Sequence, residues 1–140
     1  MKCVVLGGGS AGPNTGQGCS GYLVMDGANS VALDLGPGTL QELRKHTDFR
    51  TLDALLLTHL HIDHMLDVVA LAWLWAHNPV APGKRLPLWL PPGGQAFFEE
   101  LGRLLRAHAD TDNLFHAVFA MHEFDPEQEL AIGALRLTFA

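Results

Sequence analysis

A cluster of three histidines and an aspartate follows an apolar run, and this pairing constrains the fold more than any other part of the chain. The run at residues 53–57 predicts a strand buried between layers, because its side chains are almost all apolar. Residues two apart in an extended segment project to the same side. His59 and His61 can therefore present their rings together, while Asp63 and His64 lie where the chain turns into a helix.

The types of side chain in this cluster point to metal binding. Imidazole and carboxylate groups are ligands that zinc and similar metals favour. Two histidines beside a carboxylate and a third histidine suit a two-metal hydrolytic centre, in which two ions share and activate a water molecule. The alternative is three surface histidines and a helix-capping aspartate, but the full pattern after an apolar strand favours the metal centre.

The remaining pattern predicts strands that alternate with helices, which indicates a layered α/β fold. Predicted strands cover residues 2–6, 21–25, 30–34, 86–90 and 114–119, with a possible start at 122–124 and a last hairpin, 129–132 with 134–139, turned at Gly133. Predicted helices cover residues 40–46, 65–76 and 95–108. Thr39 is expected to cap the first helix, and Pro87 suggests that its strand lies at a sheet edge.

A glycine-rich loop follows the first predicted strand. Gly7, Gly9 and Gly12 satisfy the G-x-G-x-x-G pattern of dinucleotide-binding proteins, and Asp34 follows at about the distance of the ribose-binding acid. Dinucleotide binding needs a helix that begins at this loop. Residues 13–18, Pro-Asn-Thr-Gly-Gln-Gly, break helices repeatedly. We therefore expect a flexible loop beside the functional site and predict no dinucleotide cofactor.

Composition and charge indicate which partners and which cellular location the sequence favours. A net charge of −6 argues against nucleic-acid binding through a broad basic surface, although bound metal ions could still attract a phosphate substrate. No apolar run approaches the ~18 residues of a membrane-spanning helix. Cys3 and Cys19, the two cysteines, are expected to be reduced thiols. These features favour a cytoplasmic protein without a membrane partner.

Two segments resemble those of a known family. Residues 59–64, His-Leu-His-Ile-Asp-His, are similar to the H-x-H-x-D-H motif of the metallo-β-lactamase superfamily. Residues 33–39, Leu-Asp-Leu-Gly-Pro-Gly-Thr, resemble the Asp-x-Gly-x-Gly segment of its ribonuclease Z-like branch. The resemblance covers essentially the whole chain. It implies an αββα sandwich, here its N-terminal portion, with a di-metal hydrolase site at the sheet edges.

The resemblance also implies roles for individual residues. His59 and His61 would bind a first metal ion, and Asp63 and His64 a second. Asp63 would also help to orient or deprotonate the attacking water, and Asp34 would support the ligand loop from nearby. The implied ions are two Zn²⁺ in a complete site, with Mn²⁺ or Fe as alternatives.

The chain departs from this family at its C-terminal side. The family adds a third histidine, a bridging aspartate and a final histidine from later segments, the first of them soon after a strand that resembles residues 135–140. His108, His116 and His122 have no context that makes any of them this ligand, and His46 and His77 are expected near helix ends. We therefore expect residues 1–140 to be a metallo-β-lactamase-like domain truncated on that side. Such a unit would form homo-oligomers or need its C-terminal half.

The functional expectation is a metal-dependent hydrolase. The ribonuclease Z-like resemblance implies a phosphodiesterase that acts on a cyclic nucleotide, RNA or another phosphodiester. The acidic charge favours a small phosphodiester over tRNA. Two alternatives stay open: a hydrolase of another ester class on the same fold, and a catalytically incomplete metal-binding or assembly fragment.

Overall fold

The computed structural model describes residues 1–80, 83–105 and 113–139. These residues form a six-stranded sheet in the order β1-β2-β3-β4-β5-β6 and a separate two-stranded sheet. The strands are β1 (Lys2–Gly7), β2 (Gly21–Asp26), β3 (Asn29–Leu35), β4 (Ala54–Leu56), β5 (Leu86–Leu90), β6 (Phe119–Glu123), β7 (Leu130–Ile132) and β8 (Leu135–Leu137). The helices are α1 (Thr39–His46), α2 (Ile62–Met65), α3 (Asp67–Ala76), α4 (Gly94–Leu105) and α5 (Leu114–Val118), with a short 3₁₀ turn at Phe49–Thr51.

The large sheet is mixed. Strands β1, β2 and β3 pair antiparallel, whereas β3, β4, β5 and β6 pair parallel to one another. The carboxyl ends of the four parallel strands therefore meet at one edge, which is where ligands bind in open sheets of this kind. The loop after β3 and the histidine cluster after β4 both begin at this edge.

Alternating side chains of the sheet pack into two cores. Leu55 and Leu57 are fully buried in the larger core, which the helices cover on one face of the sheet. Ala54 packs on the opposite face against Ile132 and Leu135 of the β7–β8 hairpin. Each such leucine contributes about 1.5–3 kcal/mol by leaving water. The three layers run helix, sheet, sheet, and the predicted layered α/β class is confirmed.

One predicted strand is wrong. Residues 114–119 were expected to be extended, but Leu114–Val118 forms helix α5 and the strand begins only at Phe119. Asn113 explains the helix, because its side chain accepts a hydrogen bond of 3.0 Å from the backbone N–H of Phe115 and so caps the first turn. Short apolar runs are compatible with a helix or a strand, and here the N-cap at Asn113 favours the helix.

Two further expectations need correction. β5 lies between β4 and β6 rather than at an edge. Its pairing with β4 begins at Leu88, one residue after Pro87, so the missing N–H of the proline costs no bond on that side. The first helix has Gly38 as its N-cap, and Thr39 is its first residue, with a hydroxyl that donates to the carbonyl of Gly36 at 2.6 Å.

The other elements agree with the sequence, with small differences in extent. The β2–β3 and β7–β8 hairpins are present, and the latter turns at Gly133 with φ 57°. The predicted helix at 65–76 is divided at Leu66 into α2 and α3. Residues 106–108 of another predicted helix lie outside the described residues. Among the helices of the described segments, none has the length and apolar character needed to cross a bilayer.

Candidate metal centre

The cluster residues lie on a loop between β4 and α2. The backbone N–H of Leu57 still donates to the carbonyl of Trp89 at 2.9 Å, so the loop leaves the sheet only after this residue. The chain bends at Thr58 and has no regular structure up to His61, the N-cap of α2, which is itself extended with φ −67° and ψ 145°. His59 and His61 thus lie on the loop before the helix, and Asp63 and His64 lie in its first turn, as expected.

The structure brings the four predicted side chains together. The ring centroids of His59 and His61 are 4.9 Å apart, and those of His59 and His64 are 3.8 Å apart. Oδ2 of Asp63 lies 3.7 Å from Nε2 of His64. The cluster thus combines three imidazoles and one carboxylate within a few ångströms.

Asp34 supports this cluster from the end of β3. Its side chain is almost completely buried, and its backbone adopts the left-handed conformation with φ 56°, which aspartate tolerates better than most residues. Oδ1 accepts the backbone N–H of Thr58 at 2.8 Å, and Oδ2 lies 2.7 Å from Nδ1 of His64. A carboxylate only accepts, so His64 carries a proton on Nδ1, which leaves the lone pair of a neutral ring on Nε2.

Thr58 orients a second imidazole ring, that of His59, in a similar way. Its hydroxyl lies 2.9–3.0 Å from both oxygens of Asp34 and 3.0 Å from Nδ1 of His59. The single hydroxyl proton goes to the carboxylate, so the oxygen accepts from Nδ1–H of His59. The lone pair of His59 is then on Nε2 as well. Hydrogen bonds of this kind orient metal-binding histidines in proteins.

The glycine-rich loop holds Asp63. The backbone N–H of Ala11 donates to Oδ2 of Asp63 at 3.0 Å and lowers the pKa of this carboxyl, which therefore stays ionised. The backbone N–H of Ser20 donates to the carbonyl of Asp63 at 3.1 Å. No helix begins at Gly12 within the described segment 1–80, so the dinucleotide alternative lacks its required element. The loop lies beside the cluster, as expected.

Cys19 is buried close to these groups. Burial raises the pKa of its thiol, and the carboxylates of Asp63 and Asp67 raise it further. A thiol is a metal ligand in its deprotonated form. Both Cys3 and Cys19 are free thiols, in agreement with the sequence-based expectation.

The described histidines outside the cluster have other neighbours. His46 is the last residue of α1 and lies 3.3 Å from Glu42, and His77 follows α3, where its ring stacks on Trp73 at 4.0 Å. His116 lies on α5. His122 lies on the edge strand β6 beside Trp89, with ring centroids 4.8 Å apart, and His108 lies outside the described residues.

The donor set fits a metal ion in kind but not in number. Imidazole and carboxylate groups are suitable donors for zinc, manganese or iron. Across residues 1–80, 83–105 and 113–139, however, no group of three or more His, Cys, Asp or Glu side chains is arranged to hold an ion. The cluster is therefore a group of suitable donors, with the rings of His59 and His64 oriented, and not a closed site among the described residues.

Sequence reasoning missed two groups that contact the cluster, from Thr58 and Ala11, and one contact farther away, made by Asp67. Thr58 directly precedes the motif and could have been recognised as a hydroxyl at the end of an apolar strand. The backbone N–H of Ala11 has no signature in the sequence. Asp67, whose carboxylate accepts the backbone N–H of Leu40 at 2.9 Å, acts across 27 positions and could not be assigned without the fold.

Comparisons with known proteins agree with this geometry. Residues 29–140 match the family described as Beta-lactamase superfamily domain. The probable metallo-hydrolase YhfI of Bacillus subtilis is 27% identical over 143 residues, which cover 99% of this chain and 53% of that protein. Ribonuclease Z of Mycobacterium bovis is 32% identical over 120 residues, covering 79% of this chain and 43% of that protein.

Solved structures give the same result. The crystal structure of YhfI superposes with a TM-score of 0.78 at 26% identity and covers 99% of this chain and 51% of that chain. Human tRNase Z, short form, shares the fold with a TM-score of 0.67 at 24% identity, covering 88% of this chain and 45% of that chain. The chain spans about half the length of the relatives it matches. Its sequence match over residues 29–140 and its layered fold show that the chain belongs to the metallo-β-lactamase superfamily.

Proposed function

We propose that the protein is a metal-dependent hydrolase of the di-zinc type that acts on phosphodiesters. The observation that carries this proposal is the hydrogen-bond network of Asp34, Thr58, His59 and His64. It places the ring protons on the Nδ1 atoms and keeps the Nε2 atoms for another partner. A cluster with a purely structural role would not need this orientation of two rings.

The four cluster residues divide into two donor pairs. We assign His59 and His61 to one ion and Asp63 and His64 to the other, with Zn²⁺ as the proposed ion and Mn²⁺ or Fe as alternatives. When bound, such ions lower the pKa of water and polarise a phosphoryl oxygen. Further ligands would have to come from residues outside this donor set, since each pair supplies fewer than the three protein ligands of a typical catalytic zinc.

Asp63 has the proposed catalytic role. Ala11 donates to Oδ2 of Asp63, so we assign Oδ1 to the attacking water, whose proton it would orient or accept. The lowered pKa keeps this carboxyl ionised and ready to accept a hydrogen bond at neutral pH. Asp34 would act through His64, by holding its ring in place.

A phosphodiester is the proposed substrate class, because one relative is named ribonuclease Z. A small phosphodiester such as a cyclic nucleotide is favoured over tRNA by charge. The chain has a net charge of −6, and several of its cations already pair with carboxylates, among them Lys45 with Glu42 and Arg50 with Asp48. RNA and other esters remain the alternatives, because the fold alone does not select the bond that is cut.

Hydrolysis of an aryl phosphodiester by the zinc-loaded protein tests this proposal. The assay uses residues 1–140 and, in parallel, the longest product of the coding sequence. We expect Asp63→Asn to reduce kcat by about 10²–10⁴-fold, and His46→Ala, a histidine outside the cluster, to leave it unchanged. Zinc-loaded protein that is inert toward the phosphodiester in both lengths would contradict the proposal.

A second candidate is a metal-binding or assembly fragment without activity of its own. The observation that favours it is the lack of a three-residue metal site among the described residues. Titration calorimetry with zinc separates the two candidates. Weak binding by residues 1–140 supports the fragment, whereas tight binding near two equivalents indicates that other residues or a second copy complete the site.

The sheet face opposite the helices supports a proposed partner, either a second copy or a C-terminal half. Val4 packs on the helix side, so Val5 projects from the other face, where it is 61% exposed. Trp89 on the same face is only partly buried. Size-exclusion chromatography with multi-angle light scattering measures the oligomeric state.

We also propose a cytoplasmic location, which the two free thiols support.

A further inference from the structure

Asp67 is the first residue of α3 and has no place in the function described so far. Its carboxylate oxygen Oδ2 accepts the backbone N–H of Leu40 at 2.9 Å. Burial raises the pKa of this carboxyl, and the backbone N–H groups of Leu40, Gly38 and Thr39 oppose that rise. Gly38, Thr39 and Leu40 form the N-terminus of α1. Asp67 therefore joins the helix that follows the cluster to the helix that follows Asp34.

Helix α1 needs a cap from elsewhere in the chain. Its N-cap residue, Gly38, has φ 89° and no side chain that could accept a hydrogen bond. The first N–H groups of a helix have no partner within the helix and attract a negative charge. Asp67 supplies both the acceptor and the charge from a position 27 residues away.

The contact belongs to a set of three that joins residues 34–40 to residues 58–67. At one end, Asp34 accepts from Thr58 and faces Nδ1 of His64. In the middle, Gly36 lies so close to the carbonyl oxygen of Asp63 that a Cβ atom there would overlap it. At the other end, Asp67 accepts from Leu40. Each segment thus supplies one carboxylate to the other. Asp34 of the first segment contacts Thr58 and His64, and Asp67 of the second segment contacts Leu40.

We propose that Asp67 is a positioning residue of the metal centre. By fixing the N-terminus of α1, it holds the loop that follows Asp34 and β3 against the turn that carries Asp63 and His64. The inference rests on the proposed function, because the positioned groups are the proposed ligands and their support. Loss of Asp67 would let the two segments separate at one end and would weaken the contact between Asp34 and His64.

The chain offers a matched control. Oδ2 of Asp53 accepts the backbone N–H of Ser30 at 2.8 Å, so it is also a carboxylate that joins two segments through a backbone N–H. It lies just before β4, whereas the cluster follows β4 at the opposite end. Asp53→Ala therefore removes the same kind of contact far from the cluster.

The test compares Asp67→Ala with Asp53→Ala by two measurements. Zinc affinity is measured by competition with a chromophoric chelator, and the ¹⁵N resonances of the His64 ring are recorded by NMR without metal. We expect both variants to lose stability, but only Asp67→Ala to lose about tenfold or more in zinc affinity and to shift the Nδ1 resonance. Wild-type zinc affinity and wild-type ring resonances in Asp67→Ala would overturn the inference.

Asp67→Asn covers the case in which the alanine variant does not fold. The amide keeps an acceptor oxygen but loses the charge, and hydrogen bonds to neutral acceptors are roughly half as strong. We expect a smaller shift of the same His64 resonance, and its absence would count against Asp67. Wild-type protein that binds no zinc would contradict the proposed function instead, while the metal-free ring resonances still decide the role of Asp67.

Discussion

Nδ1 of His64 lies 2.7 Å from Oδ2 of Asp34, a residue 30 positions earlier in the chain. This bond joins the ends of two adjacent parallel strands, because Asp34 is the last residue but one of β3 and His64 follows β4. It also determines which nitrogen of His64 remains for a metal ion. The orientation of this ring therefore depends on a residue that is not itself a proposed ligand.

Asp34→Ala should weaken both the fold and metal binding. The variant leaves the N–H of Thr58 without its acceptor, at a cost of about 1–3 kcal/mol in the free energy of unfolding. It also frees the His64 ring, which should lower zinc affinity about 10–100-fold. Urea unfolding and chelator competition measure the two effects. Asp34→Asn, which tolerates φ 56° and keeps an acceptor oxygen, should recover most of the stability.

Thr58→Val should remove the effect of the hydroxyl while it keeps the shape of the side chain. Valine is nearly isosteric but cannot bridge Asp34 and Nδ1 of His59, so we expect a loss of about 1 kcal/mol in stability together with weaker zinc binding. Thr58→Ser keeps the hydroxyl and serves as the control. Equal zinc affinity in the valine and serine variants would show that the bridge does not orient the ring.

Gly36→Ala should disturb the turn that carries Asp63. The new Cβ would overlap the backbone carbonyl of Asp63, and backbone cannot move aside cheaply. We expect a loss of about 1–3 kcal/mol in the free energy of unfolding. Gly12→Ala is the control, because no heavy atom lies within 4 Å of a Cβ built there. Similar unfolding midpoints for the two variants would contradict the close approach of Gly36 and Asp63.

The contribution of Asp48 to stability should depend on pH. The Arg50 guanidinium donates to both oxygens of Asp48, and Oδ1 also accepts the backbone N–H of Arg50 at 3.0 Å, so the pKa of this carboxyl lies below its usual value of 3.8. Because the pKa is lower in the folded than in the unfolded state, the ionised carboxylate stabilises the folded state above pH 3.8. This stabilisation is lost as pH falls through the folded-state pKa.

Asp48→Asn tests this dependence. The difference in urea midpoint between wild type and variant should be present at pH 6 and shrink below about pH 4. A difference that stays constant between pH 6 and pH 3 would mean that the charge of Asp48 is not involved. Lys45→Gln, which removes another surface ion pair on α1, controls for general loss of surface charge.

The sequence was sufficient for features that depend on neighbouring residues. The β2–β3 hairpin and the position of the cluster after β4 both follow from local alternation and spacing. The α5 helix was missed because its run of apolar residues suits a strand equally well, and the cap at Asn113 outweighs that preference. The grouping of His59, His61, Asp63 and His64 was foreseeable because all four lie within six positions.

The support around the cluster could not be predicted in the same way. The contact of Asp67 with α1 depends on how two helices pack, and residues 27 apart give no periodic signal. The donor to Asp63 is the backbone N–H of Ala11, a group that every residue except proline possesses. The interior position of β5 was not foreseen because Pro87 suggested an edge, whereas the pairing of β5 with β4 begins only at Leu88.

The order of the contacts along the chain has a consequence for synthesis. Ala11, Ser20 and Asp34, which hold Asp63 and His64, all precede them in the sequence. Because a ribosome releases the chain from its N-terminus, the holding groups leave the exit tunnel before the residues they hold. The groups that hold the histidine turn have thus all emerged when the turn itself does, whereas the contact of Asp67 with Leu40 waits for a later residue.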